Sequence, residues 1–407
     1  MPNFTHSSSD PRITAIDTLR GFAVLGILLI NIQGFAMISA AYVNPAAYGE
    51  LTGWNYAVWF GSYLLADSKF LALFSLLFGA SLMLIQQHTQ AQSADTVWIY
   101  QIRRLSILFV IGMLHAYFIW PGDILVAYAL CGVVLLMLVH WPSRHLLITA
   151  LIVISLPSLH MLQVTADMQF WDEAEWEQAQ REWRPPKQDY QREIQAYQGS
   201  WAEQQQQRVS EAFNMQTETL PGWLLWRAGG LMLLGMVLFK LGILNAGKPP
   251  GFYRWMAVMG LGLGLPLVAF SELRMTGEQW SLEFFTRWGY QINYWASLLV
   301  AGGYIGLVMR LCQLPAFAWL TRPLAAVGRM ALSNYLLQSL LCTWVFYGHG
   351  LGLFGKVERV AQLLIVFAAW IVLIIFSQLW LRRFRYGPVE WLWRSASHFR
   401  WQPLRAA

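Results

Sequence analysis

The residues of this chain best placed to do chemistry lie inside apolar stretches, where an ionisable side chain is costly and calls for a reason. His115 follows Arg104 by eleven residues, three helical turns, so the two share one helix face with about 16 Å between them. Trp120-Pro121-Gly122-Asp123 then reads as a tight turn that leaves a carboxylate within reach of the imidazole. A carboxylate there would orient the ring and raise its basicity, as a general base requires. A histidine held by hydrogen bonds for packing alone is the competing reading. The same spacing occurs earlier, where Arg20 and Asn31 are eleven apart and Asp17 precedes Arg20 by three, close enough to pair. An ion pair at the helix end plus an interhelical amide contact accounts for that set equally well.

Further polar groups are candidates of the same kind. Lys69, in Asp67-Ser68-Lys69-Phe70, enters an apolar run, where its ammonium either snorkels to the interface or lines a site. Gly328-Arg329 is followed by Asn334, Tyr335 and Gln338, whose spacings of three and four face a common neighbour. Hydrogen bonding between helices is the plainer reading of that group. Glycines 21, 26, 34, 302 and 303 read as points of close helix contact. Cys131, Cys312 and Cys342 stand isolated, with neither a disulfide framework nor a metal-ligand spacing, and no metal is expected.

The elements that must hold these residues follow from composition. Of 407 residues, 57% are hydrophobic and only 12% charged, against about a quarter charged in a soluble domain. A lipid-facing surface explains the deficit, and 15% aromatic residues fit helix ends at the headgroups. The net charge of +6 reads as Lys and Arg held beside anionic lipid, since no nucleic-acid-binding pattern accompanies it. Spans of about twenty residues are expected at 19–41, 68–87, 104–120, 123–140, 145–164, 223–243, 252–271, 289–310, 324–346 and 359–381. Trp54–Ala66 is too short to span and reads as a re-entrant or interfacial helix. Loops on one side carry Arg103, Arg104, Arg144, Lys240, Arg310 and Arg322, whereas 42–53 and 120–123 carry no Lys or Arg. Both termini are therefore expected in the cytoplasm. The fold class is all-α, a polytopic membrane bundle of about ten transmembrane helices, in a bacterial inner (cytoplasmic) membrane.

Four regions divide the chain: membrane halves at 1–164 and 223–381, an external insertion at 165–222, and a basic cytoplasmic tail at 382–407. The insertion has eleven acidic against five basic residues, and its tryptophans argue for short helices on the membrane face or capping an entrance. In the tail, Glu390 and Arg394 are four apart and expected to pair on an interfacial helix. Partners expected from the sequence are the lipid bilayer and a small molecule, with oligomerisation left open.

Several strings resemble the YeiB family of bacterial inner-membrane proteins: Asp17-Thr18-Leu19-Arg20-Gly21-Phe22-Ala23 with Asn31, Lys69-Phe70 with Leu73 to Gly79, and His115 with Trp120 and Gly122-Asp123-Ile124-Leu125. Gly328-Arg329-Met330-Ala331-Leu332-Ser333-Asn334-Tyr335 and Gly387 to Arg394 extend the match to the tail. The first helix is also distantly similar to membrane acyltransferases that acetylate sugars. The bacterial members of that group carry Arg and His where this chain has Arg20 and Asn31, so His115 would have to supply the base from another helix. That resemblance implies an acyltransferase. Acyl-CoA would meet Arg20, Arg104 and Arg329 in the cytoplasm, and Asn31 and Asn334 would position the thioester or its oxyanion. His115, oriented by Asp123, would act on an acceptor hydroxyl or amine from outside. The alternative is a small-molecule transporter or exporter whose path the same polar residues line.

Overall fold

The computed structural model describes residues 11–88 and 94–405, with the side chains of 11–13, 88 and 94–96 outside the description. Its regular structure is helical, apart from one bridge between Phe384 and Arg405. The first membrane half contains α1 (Pro11–Ala36), α2 (Ser39–Val43), α3 (Gly53–Ala66), α4 (Lys69–His88), α5 (Ala94–Phe118), α6 (Leu125–Leu136) and α7 (Ser143–Asp167). The insertion forms α8 (Glu173–Trp183), α9 (Lys187–Gln198) and α10 (Trp201–Asn214). The second half contains α11 (Leu225–Lys240), α12 (Pro250–Gly277), the single turn α13 (Leu282–Phe284), α14 (Tyr290–Cys312), α15 (Ala318–Arg329), α16 (Ala331–Phe346) and α17 (Arg359–Leu381), and α18 (Pro388–Ser397) closes the tail.

Among the described residues, eight helical stretches are long and apolar enough to cross a membrane. The chain is thus an all-α, polytopic bundle. Two of the ten expected spans are shorter helices. At 123–140 the turn from Trp120 consumes the first residues, and Trp141-Pro142 stops the run, leaving α6 with 12 residues, about 18 Å. At 324–346 the helix breaks at Met330, whose backbone (φ −112, ψ 32) leaves the helical region, so that α16 starts afresh and runs 16 residues. α3 is a separate helix of 14 residues, ended by Asp67 and by Ser68 at φ +60, and it rests on α1, α12 and α17.

Two helices occupy the centre. α1 packs against α3, α4, α14, α15, α16 and α17, and α11 against α4, α6 and α7. Glycine sets the closest crossings: a Cβ on Gly21 would lie 1.8 Å from the Leu324 carbonyl oxygen, and one on Gly328 would lie 1.8 Å from that of Asp17. Gly79 and Gly235 do the same for α4 and α11, each at 2.0 Å from a carbonyl of the other helix. At the α12–α14 crossing it is Gly303 that meets its neighbour closely, while Gly302 faces open space but for one methionine tip. Peripheral helices expose apolar rows, Ile148, Leu151, Ile152 and Leu159 on α7 and Leu364, Phe367, Ile371 and Ile375 on α17. Spacings of three, four or seven residues put each row on one helix face suited to hydrocarbon.

The insertion is a docked cap. Capping boxes at Asp172/Glu175 and Ser200/Glu203 start α8 and α10. α8 ties down through Trp183 Nε1, which donates to the Trp280 carbonyl at 2.7 Å. Tyr197 on α9 packs its ring on Tyr347 and Phe354, and its carbonyl accepts from Gly348 N–H at 2.8 Å. α10 holds the end of α5, where Gln205 Nε2 donates to the Tyr117 carbonyl at 2.9 Å and Trp201 Nε1 to that of Phe118 at 3.3 Å. The cap therefore sits on the helix end that carries His115, at the opposite end of the bundle from Arg20 and Arg104.

Candidate functional site

His115 and Asp123 meet. The ring Nδ1 lies 2.8 Å from Asp123 Oδ1, with the two side chains 1% and 2% exposed. The second carboxylate oxygen accepts the Val126 N–H at 2.9 Å, so both oxygens are committed and the group is fixed. With a carboxylate on Nδ1, the neutral ring carries its proton there and leaves Nε2 as an acceptor. Nε2 faces Ser339 Oγ at 2.9 Å, and Ser339 on α16 is itself buried. Serine hydroxyl, imidazole and carboxylate thus form one hydrogen-bonded line, the geometry by which a nucleophilic triad is recognised on unrelated folds. Tyr335, one turn before Ser339, completes the wall, with its ring 5.1 Å from the imidazole and its hydroxyl accepting from Ile124 N–H at 3.4 Å.

Local sequence makes this geometry possible. Gly112 lets the 123–126 turn close on α5, since a Cβ there would stand 2.8 Å from Val126 N and 3.0 Å from Asp123 Oδ2. Trp120 anchors the turn by stacking on Phe35 of α1, with ring centroids 4.2 Å apart. At the basic end, α18 joins the two helices that carry the line. Trp393 Nε1 donates to the Arg104 carbonyl at 2.7 Å on α5, and Glu390 accepts from Leu332 N–H (2.7 Å), Ser333 N–H (3.0 Å) and the Ser333 hydroxyl at the start of α16. The expected Glu390–Arg394 pair does not form, because the first turn of α16 offers the carboxylate free N–H donors that outcompete a solvated guanidinium. Arg394 lies over the Tyr386 ring instead, 4.6 Å from its centre. Burial pushes the Glu390 carboxyl above its ordinary value, against the pull of these donors.

The arginines gather at the basic end. Arg20 pairs with Asp17 at 2.8 Å and reaches Ser81 on α4 at 3.3 Å. Arg104 stacks on Trp393, 4.3 Å from the ring centre, within electrostatic range of both Arg20 and Arg394. Arg329 acts on Asp17 across the α1–α15 crossing and donates to the Arg385 carbonyl at 3.1 Å. Asp17, Arg20, Arg104 and Arg329 are thus brought together, about 16 Å along α5 from His115.

Other predicted residues go elsewhere. Asn31 accepts from Tyr42 hydroxyl at 3.4 Å on the capped side of α1. Asn334 is five residues from Ser339, about 140° around α16, and its amide donates to the Val327 carbonyl (3.0 Å) and Ser377 Oγ (2.9 Å). Gln338 donates to the Val24 carbonyl of α1 at 2.8 Å. These two side chains tie α16 to its neighbours and do not face the imidazole. Lys69 does not snorkel. It is fully buried and donates to the Tyr63 carbonyl at 3.0 Å and to Asn293 Oδ1 at 2.8 Å, while Asn293 Nδ2 reaches Asp67 at 2.6 Å. Glu272 and Arg227 lie within electrostatic range of Lys69, giving a second buried polar cluster near the capped end.

A family model described as "Protein of unknown function (DUF418)" matches residues 238–400. Over 97% of both chains, the sequence is 35% identical to the Escherichia coli (strain K12) protein named "Uncharacterized protein YeiB". The chain belongs to the YeiB-like family. It is also 31% identical to "Uncharacterized protein YxaH" of Bacillus subtilis (strain 168), over 99% of this chain and 98% of that one. Neither YeiB-like relative has a name that states an activity, so the chemistry rests on the geometry above.

Sequence reasoning passed over three buried groups in this YeiB-like protein. Ser339 is one hydroxyl among many in an apolar run, and only its four-residue spacing from Tyr335 singles it out. Arg227 lies within the expected span 223–243, where any ionisable residue is a candidate, and it is held by the Tyr294 carbonyl (2.9 Å) and Ser297 Oγ (2.8 Å). Glu272 falls one residue beyond the expected span 252–271 but within α12.

Proposed function

We propose that this protein is a transmembrane acyltransferase of a bacterial cytoplasmic membrane, moving an acyl group from cytoplasmic acyl-CoA to a hydroxyl or amine acceptor that arrives from the capped side. One observation carries the reading: a buried imidazole oriented by a carboxylate on Nδ1, with Nε2 against a hydroxyl whose proton it can accept. The arginine group at the basic end supports it, because Arg20, Arg104 and Arg329 offer guanidinium donors suited to phosphates. An extended pantetheine arm suits the distance of about 16 Å between Arg104 and His115. Binding of acetyl-CoA to the detergent-purified protein tests the donor side. Saturable binding that Arg104→Ala weakens supports the reading, and absence of binding to folded wild type rejects it. The buried Lys69–Asn293–Asp67 cluster favours a second reading, proton-coupled transport. Solute flux into proteoliposomes that Lys69→Met abolishes while acetyl-CoA goes unbound would establish that reading instead.

A further inference from the structure

We infer that Ser339 is a nucleophile that carries the acyl group as an ester between donor and acceptor, so that transfer proceeds through a covalent acyl-enzyme. This rests on the acyl-transfer reading and goes beyond it, since a general base alone needs no residue of the protein to be acylated.

The inference begins with what occupies the working face of the imidazole. A base that acts directly on an acceptor must present its free nitrogen to that acceptor, yet Nε2 of His115 is already within 2.9 Å of Ser339 Oγ. The first proton the base can take is therefore the serine's. Both partners are almost wholly buried, so water does not dilute the interaction, and the Asp123 contact at 2.8 Å stabilises the imidazolium that proton transfer creates. Among the described residues, the only other hydrogen bond of Ser339 is a long one to the Tyr335 carbonyl, 3.4 Å, which leaves the hydroxyl directed at the ring. A serine used merely to tie helices would have no need of a carboxylate behind its partner.

The route of the two substrates gives the covalent carrier a purpose. The arginines and the cap lie at opposite ends of the bundle, so donor and acceptor approach from opposite sides, and one imidazole serves both. In the first step Ser339 Oγ attacks the thioester carbonyl carbon, a C–O bond forms and the C–S bond breaks. The serine proton passes to Nε2 and then to the departing thiolate. In the second step the acceptor gives its proton to Nε2 and attacks the ester carbon. The C–O bond to Ser339 breaks, and the serine oxygen recovers the proton. No electrons are gained or lost, and the acyl group is handed on while donor and acceptor are never bound together.

The test uses the full-length protein in nanodiscs, with two labels read by mass spectrometry: a fluorophosphonate, which reports an activated serine, and acetyl-CoA supplied without acceptor. One adduct per chain at Ser339 from each reagent is expected. Both should fall by about a hundredfold or more in His115→Ala and vanish in Ser339→Ala, with thermal unfolding unchanged in Ser339→Ala. Turnover of acetyl-CoA by folded wild type with no adduct at Ser339, or turnover in Ser339→Ala within about twofold of wild type, overturns the inference and leaves His115 as a direct base. Fluorophosphonate labelling at Ser339 without binding of acetyl-CoA keeps the nucleophile and rejects the CoA donor.

Discussion

With Asp123 Oδ1 on Nδ1 and Ser339 Oγ on Nε2, each nitrogen of His115 has a fixed task. Asp123→Asn keeps the shape but lets an amide N–H point at Nδ1, which moves the ring proton to the wrong nitrogen. Acyl transfer is then expected to fall by about 10²- to 10⁴-fold with little change in unfolding temperature, measured by initial rates beside a melting curve. Lys69 differs in kind, since its loss strips the Tyr63 carbonyl and Asn293 Oδ1 of their donor and takes a cation from beside Asp67 and Glu272. Lys69→Met should cost about 3–5 kcal/mol, read from unfolding in detergent, and a change under 1 kcal/mol would show the carboxylates to be neutral without it. At this scale His115, Asp123, Arg20 and Asp17 were legible, because a tight turn or a three-residue spacing brings each pair together. Ser339 was not, since it meets His115 across 224 residues of chain and only tertiary packing selects it from the other hydroxyls.

Helices place these groups through a few contacts of high leverage. Glu390 caps α16, so Glu390→Ala leaves the Leu332 and Ser333 N–H groups unpaired and should cost about 1–3 kcal/mol, with transfer activity falling further than stability because the register of Ser339 is disturbed. The α9 contact carries a pH dependence. Glu193 accepts from the N–H and hydroxyl of Ser39, both at 2.7 Å, and burial, then the Glu211 carboxylate, push its carboxyl up to about 7. Its value on an undocked helix is the ordinary one near 4.5. Docking of α9 is therefore fully favoured below about pH 4.5 and weakens as the pH rises to about 7, beyond which it changes no further. Hydrogen exchange of residues 187–198 should quicken relative to its intrinsic rate over that window in wild type and stay flat in Glu193→Gln. Element existence was readable from apolar runs, but the breaks that shorten α6 and split α15 from α16 depend on a turn and a cap supplied from outside those runs.

At the level of the molecule, a bundle with lipid-facing sides offers its polar interior only two approaches, the basic end and the capped end. Gly348 sits under the cap, where a Cβ would lie 2.0 Å from the Gln198 carbonyl oxygen. Gly348→Val is expected to lift α9 and α10 and to loosen the backbone around the already exposed Lys187 and Arg192, so that trypsin cuts there faster in intact proteoliposomes while acetyl-CoA binding is unchanged. Simultaneous loss of CoA binding would show that the cap supports the whole bundle and not one entrance. The polytopic class was visible in composition and charge, whereas the docking of the cap onto the end of α5 was not, because backbone carbonyls receive most of its anchoring bonds.

The order of synthesis gives α18 a further meaning. It is made after every helix it touches, yet its Trp393 and Glu390 hold α5 and α16 against each other beneath the Ser339–His115 pair. A nascent chain that has inserted α1 to α17 still lacks this clasp. The Ser339–His115 pair therefore goes unclasped until α18 is made, and a premature stop after α17 is expected to leave a molecule at home in the bilayer but without the proposed acyl transfer.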